Sequence, residues 1–137
     1  MSEGATGRCF CGGVTGRFDG EPFWIAADHD EDCRRATGGA LLIWIGYRPE
    51  QVRLEGDSLT AFSRTAGVVR LFCRVCGTSI AYEDARLPDE VHISLGFMED
   101  HQAFAPQVHA FWGERLRHVE LVDDLPKEEA FSRERDG

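Results

Sequence analysis

Cys9-Phe10-Cys11-Gly12-Gly13 and Cys73-Arg74-Val75-Cys76-Gly77 decide the reading of this chain. A tetrahedral zinc site needs four sulfurs about 2.3 Å from the metal, so neighbouring sulfurs sit roughly 3.8 Å apart. Extended residues at i and i+2 point to the same side of the backbone, so Cys9 and Cys11 can face one ion. The two-residue gap between Cys73 and Cys76 suits a tight knuckle. The glycines that follow each pair allow positive φ and bring an N–H close to sulfur. A Cys9–Cys11 disulfide would be strained. A redox Cys-x-x-Cys opens a helix after a strand, whereas Gly77-Thr78-Ser79-Ile80 reads as a turn and a strand. Four inert buried thiols are the remaining alternative. The expectation is one structural zinc on Cys9, Cys11, Cys73 and Cys76, with no position open to substrate.

The rest of the chain agrees with a small reduced protein. At 137 residues it suits a single domain, expected over 1–126, with a charged tail over 127–137. A formal net charge of −9 argues against a sequence-independent grip on nucleic acid or an anionic membrane. The first residues lack the basic and apolar regions of a signal peptide, and the longest apolar run, Ala40 to Ile45, is too short to span a bilayer. A cytoplasmic setting is expected, where clustered cysteines act as ligands or catalysts.

Outward from the cysteines the pattern is mainly β. Strand candidates are Gly13 to Phe18, Phe23 to Ala27, Leu41 to Tyr47, Val52 to Leu54, Leu59 to Phe62, Val68 to Cys73, Thr78 to Tyr82 and Val91 to Leu95. Gly56-Asp57 reads as a hairpin turn. Phe111-Trp112 and Val119 to Val122 are candidate late edge strands. Asp30 to Thr37 reads as one short helix, capped by Asp30 or Asp32 and stopped by Gly38-Gly39. The tail from Pro126 reads as a frayed helix or a disordered end.

Further landmarks follow in order: Cys33-Arg34-Arg35-Ala36-Thr37-Gly38, Arg70-Leu71-Phe72 before the second cysteine pair, Leu95-Gly96, Pro106-Gln107-Val108-His109 and Asp123-Asp124-Leu125-Pro126. Together with the cysteine pairs they make the chain resemble the glutathione-dependent formaldehyde-activating enzyme family, which includes centromere protein V-like proteins. The resemblance runs from Arg8 to about Pro126. It implies a β-tent fold of small antiparallel sheets organised around a structural four-cysteine zinc site. It also implies carbon–sulfur lyase chemistry, the reversible addition of the glutathione thiol to formaldehyde.

One stretch departs from the family. The resemblance implies a second, catalytic zinc on a Cys-x-Cys-x-x-Cys run, but this chain has Asp28-His29-Asp30-Glu31-Asp32-Cys33 there. Carboxylates also ligate zinc, so Asp28, Asp30 and Cys33 could form an open three-ligand site and are the catalytic candidates. The plainer reading is a solvated acidic turn capping a helix, with Cys33 buried; it is preferred, and a second ion is not counted on. Arg34, Arg35 and His109 are the substrate-binding candidates. The arginines could clamp carboxylates or pair locally with the acidic turn, and His109 could be a base or a satisfied structural histidine. Trp24, Trp44 and Trp112 read as core, and His92 and His118 as structural.

Two functions remain in view. One is a lyase acting on an adduct of glutathione, or another thiol, with an aldehyde. The other is a catalytically inactive zinc-stabilised module that binds a small thiol or a protein. A methionine sulfoxide reductase ranks last, because four cysteines are assigned to zinc. Oligomeric state is open.

Overall fold

The computed structural model describes residues 4–132. In chain order its strands are β1 (Ala5–Arg8), β2 (Thr15–Phe18), β3 (Trp24–Asp28), β4 (Leu42–Tyr47), β5 (Val52–Glu55), β6 (Leu59–Phe62), β7 (Val68–Cys73), β8 (Ser79–Asp84), β9 (Val91–Ser94) and β10 (Val108–Ala110). The single α-helix among the described residues is α1 (Glu31–Thr37). Short 3-10 turns complete the pattern. The protein is mainly β, as its sequence patterning predicts. No helix among the described residues is long and apolar enough to cross a membrane.

The strands form two sheets. One is antiparallel with order β1-β2-β5, and the other has seven strands in the order β10-β3-β4-β9-β8-β7-β6. The expectation of small antiparallel sheets needs correction on two counts: the second sheet is large, and its edge strand β10 runs parallel to β3. Parallel neighbours need a long connection, and here most of the chain intervenes between them.

Period-two alternation on the central strands builds a core on each face of the large sheet. Ile25, Ile45 and Ile93 point into one core with Phe18, Tyr47 and Phe97. That core also takes Val52 and Leu54 of the smaller sheet, and both Cys9 and Cys73. Trp24, Ala26 and Trp44 point the other way, into a second core that holds Cys33 of α1 and Ala110. The cysteine cluster therefore belongs to the first core, and α1 to the second.

Gly46 of β4 lies opposite Trp24 of β3. A Cβ there would fall 2.1 Å from Trp24 Cε2, so only glycine lets the indole lie flat across its neighbour. The helix forms where its caps predict. Asp30 Oδ2 accepts from Cys33 N at 3.1 Å, and Gly38 closes the helix at φ 84°.

Four local expectations fail. Gly56-Asp57 is a turn, with Leu59 N donating to Gly56 O at 3.2 Å, but not a hairpin: β5 pairs with β2, and β6 with β7. The chain changes sheets there. Phe111-Trp112 is not a strand, because Phe111 turns to φ 53° and Trp112–Glu114 coils into a 3-10 turn; the strand stops one residue earlier. Val119 to Val122 has no strand either. The segment after Pro126 is neither helical nor loose where it is described. His109 N donates to Pro126 O, Glu128 N to His109 O, and Trp112 N to Glu128 O, each at 2.8 Å. The last part of the charged tail, 133–137, lies outside the described residues.

Candidate metal centre and candidate active-site pocket

The cysteine pairs sit where strands end. Cys9 follows β1, and Gly12 N returns to Cys9 O at 3.0 Å with Gly12 at φ 80°. Cys73 ends β7, and Gly77 N returns to Cys73 O at 2.7 Å with Gly77 also at φ 80°. The two matching knuckles face each other. Cys9 Sγ is 3.7 Å from Cys11 Sγ, which is 3.8 Å from Cys73 Sγ. All four sulfurs lie within 4.8 Å of one another. These spacings match the edge of a tetrahedron with bonds of about 2.3 Å, so the donor set fits a four-coordinate metal ion.

The surroundings favour thiolates. Val14 N donates to Cys9 Sγ at 3.3 Å and Gly13 N to Cys11 Sγ at 3.4 Å. The Thr78 hydroxyl, 3.2 Å away, and then the Thr78 backbone pull Cys76 down to about 5. The Ser58 hydroxyl at 3.3 Å is the largest influence lowering Cys73. Gly13 likewise lowers Cys11, but the crowd of neighbouring sulfurs and burial outweigh it and raise this thiol to about 11. Four sulfurs this close cannot all ionise without a cation between them.

A pocket of about 350 Å³ lies beside α1. Trp24, Trp44, Tyr82 and Phe111 wall it, and Asp28, Asp30 and Cys33 all line it. Asp28 is the last residue of β3, Asp30 caps α1, and Cys33 is buried in the first turn of that helix. The three catalytic candidates are thus brought together. Burial first, and the neighbouring Asp30 charge second, push Asp28 up to about 8. Burial first, then Asp30 and Asp28, push the Cys33 thiol well above its ordinary range. At neutral pH Cys33 is a thiol and Asp28 is largely a neutral acid.

The three do not converge into a preformed ligand set. Among the described residues, the four cysteines are the one group whose ligand atoms converge, and Asp28, Asp30 and Cys33 make no such group.

The substrate-binding candidates lie elsewhere. Arg34 Nη1 donates to the carbonyl oxygens of His29 and Glu114. Arg35 is exposed and pairs with Glu31 of its own helix at 3.5 Å. Neither arginine lines the pocket. His109 is buried at 1% exposure, with Nδ1 2.8 Å from His29 Nε2 and Nε2 3.0 Å from Asp123 Oδ2.

Several pocket residues do not read as site residues from the sequence. Arg70 lines the pocket from β7; its signal was a lone cation inside an otherwise apolar strand, Val68-Val69-Arg70-Leu71-Phe72. Arg86 grips Asp84 through Nη2–Oδ2 at 2.6 Å and Nε–Oδ1 at 3.0 Å, and that grip holds Asp84 at about 2. His92 lines the pocket too, 2.9 Å from Glu90 and stacked on Tyr82. Trp24 and Trp44 are core residues, as expected, and pocket wall as well.

The family model described as glutathione-dependent formaldehyde-activating enzyme matches residues 4–114. A crystal structure of a Rhodobacter sphaeroides protein, a structural-genomics target, is similar in fold. It is 23% identical, with a TM-score of 0.58, over 69% of this chain and 87% of that one. No curated protein matches the chain significantly.

Proposed function

This chain belongs to the glutathione-dependent formaldehyde-activating enzyme family, and from that premise we propose that it is a carbon–sulfur lyase acting on a thiol–aldehyde adduct. The thiol is glutathione or another small thiol, and the pocket beside α1 is the site. One observation carries the proposal: Asp28, Asp30 and Cys33 share a single aromatic-walled pocket. Burial there leaves Asp28 protonated at neutral pH. A neutral acid beside a second carboxylate is the pairing that general acid–base chemistry uses.

The step balances without a second metal. Asp30 takes the proton of the substrate thiol. The sulfur attacks the aldehyde carbon, the C–S bond forms, and the carbonyl π electrons move to oxygen. Asp28 gives that oxygen its proton. The product is a hydroxyalkyl thioether, and the proton gained by Asp30 restores Asp28. The reverse sequence cleaves the adduct. Cys33 forms part of the wall and gives Asp30 a thiol neighbour, since its raised pKa argues against a nucleophilic role.

The metal on Cys9, Cys11, Cys73 and Cys76 is read as zinc. All four positions are sulfur, which suits this borderline-soft ion and leaves no place for substrate. It would supply fold stability and no step of the reaction. Its thiolates need a reducing compartment, which supports a cytoplasmic setting.

The second reading, a binding module without turnover, is favoured by the lack of convergence among Asp28, Asp30 and Cys33. Exchange spectroscopy on a glutathione–formaldehyde mixture separates the two. The lyase reading expects faster formation and breakdown of S-hydroxymethylglutathione than in buffer, and loss of that gain in Asp28→Asn. Glutathione binding with no acceleration would establish the module instead.

A further inference from the structure

Arg70 of β7 faces Tyr82 of β8 across the strands, and its guanidinium carbon lies 4.9 Å from the Tyr82 ring centroid. It lines the pocket. Its Nη1 is buried and has no hydrogen-bond partner among the described residues. A donor withheld from water with no acceptor is costly, so an orphaned Nη1 on a pocket residue calls for a partner. The other guanidinium in the pocket, Arg86, is already engaged by Asp84 through two nitrogens. Arg70 is the pocket cation with a donor to offer.

The guanidinium suggests the ligand chemistry. Its fork of N–H donors matches the two oxygens of a carboxylate. The pocket also carries Asp30, Glu31, Asp32 and Glu114, which disfavour a doubly charged group such as phosphate. Arg70 also acts on Cys33, where its charge opposes the upward shift of the thiol. Cation, thiol and acid pair therefore occupy one small volume.

We propose that Arg70 binds a carboxylate of the ligand, so that the pocket selects a small thiol bearing a carboxylate. This rests on the reading of the pocket as the thiol–adduct site. Tyr82 lies against the guanidinium, and arginine keeps its proton, so Arg70 is a binding residue rather than one that moves a proton.

The test is calorimetric titration of the purified, metal-loaded full chain with 3-mercaptopropionate and with 3-mercaptopropionamide, which differ only in the charged group. The carboxylate is expected to bind at least tenfold more tightly. Arg70→Gln should bring the two within about twofold, and Arg70→Lys should keep part of the preference. Equal affinities in the native chain, no binding of either probe, or a preference that survives Arg70→Gln would each overturn the proposal. The native-chain comparison needs no variant, so a poorly folding substitution does not blunt it. Failure of the lyase reading is separable: carboxylate preference without turnover leaves Arg70 standing, and turnover without that preference removes it.

Discussion

His29 and His109 form a buried pair, Nε2 to Nδ1 at 2.8 Å, closed by Asp123 at 3.0 Å from the far nitrogen of His109. Asp123 is held below the usual carboxylate range, first by its bond to His109. An ionised carboxylate only accepts, so His109 carries its proton on Nε2 and accepts at Nδ1 from His29 Nε2–H. Trp112 covers both rings at 5.1 and 5.0 Å. The chain ties the end of β3 to β10 and to the segment that follows it. His109→Ala leaves His29 and Asp123 without their partner and is expected to lower stability by about 2 kcal/mol. Chemical denaturation measures this, and an unchanged midpoint would mean that the network adds no stability.

The same pair predicts acid sensitivity. Burial, then the neighbouring His109 ring, holds His29 down at about 4. An unfolded histidine titrates near 6.5, so between these values the unfolded state binds more protons. Stability contributed by His29 is therefore present above about pH 6.5 and lost as pH falls toward 4. His29→Gln should flatten the stability profile in that window. A slope identical to that of the native chain would contradict the assignment.

Asp28 works in the opposite direction. Its folded value of about 8 lies above the roughly 3.9 of an unfolded aspartate, so the native state holds the extra proton between them. Its favourable contribution is fully present below about pH 4 and is lost as pH rises through 8. Asp28→Asn keeps the group neutral. The variant is expected to gain stability on the native chain as pH rises, by on the order of 1 kcal/mol or more at pH 8. Thermal melts at pH 5 and pH 8 check this. A gain that does not grow with pH would show that Asp28 titrates normally.

Gly46→Ala tests how the pocket wall is held. The added Cβ meets the Trp24 indole at 2.1 to 2.6 Å, so the ring must tilt away. A destabilisation of about 1–3 kcal/mol is expected, with altered tryptophan fluorescence. Native-like fluorescence and stability would mean that Trp24 has room the packing does not reveal.

Much of this architecture was legible in the residues. The four cysteines announce themselves by spacing, because tetrahedral geometry leaves few ways to present them. The caps of α1 are equally local: Asp30 and Gly38 act within one turn. What stayed hidden depends on long-range pairing. Nothing local to Gly56-Asp57 says that the strands on either side belong to different sheets. Nothing near His109 reveals His29, 80 residues away in sequence. Val108 to Ala110 is too short to separate from the aromatic residues after it, and its parallel partner β3 lies far upstream. The pocket was half legible. Asp28, Asp30 and Cys33 stood out by position, whereas Arg70 is recognisable only once Tyr82 lies across from it and its Nη1 is left without an acceptor.

Metal content per chain, measured on protein purified without added metal, separates one metal site from two. One equivalent of zinc is expected, unchanged in Asp28→Ala and Cys33→Ser. Cys73→Ser should lose it, together with up to about 4 kcal/mol of stability if the ion acts as a crosslink closing a loop of this span. Two equivalents falling to one in Asp28→Ala would contradict it by placing a second metal in the pocket, and a zinc-free chain of unchanged melting temperature would remove the structural metal altogether.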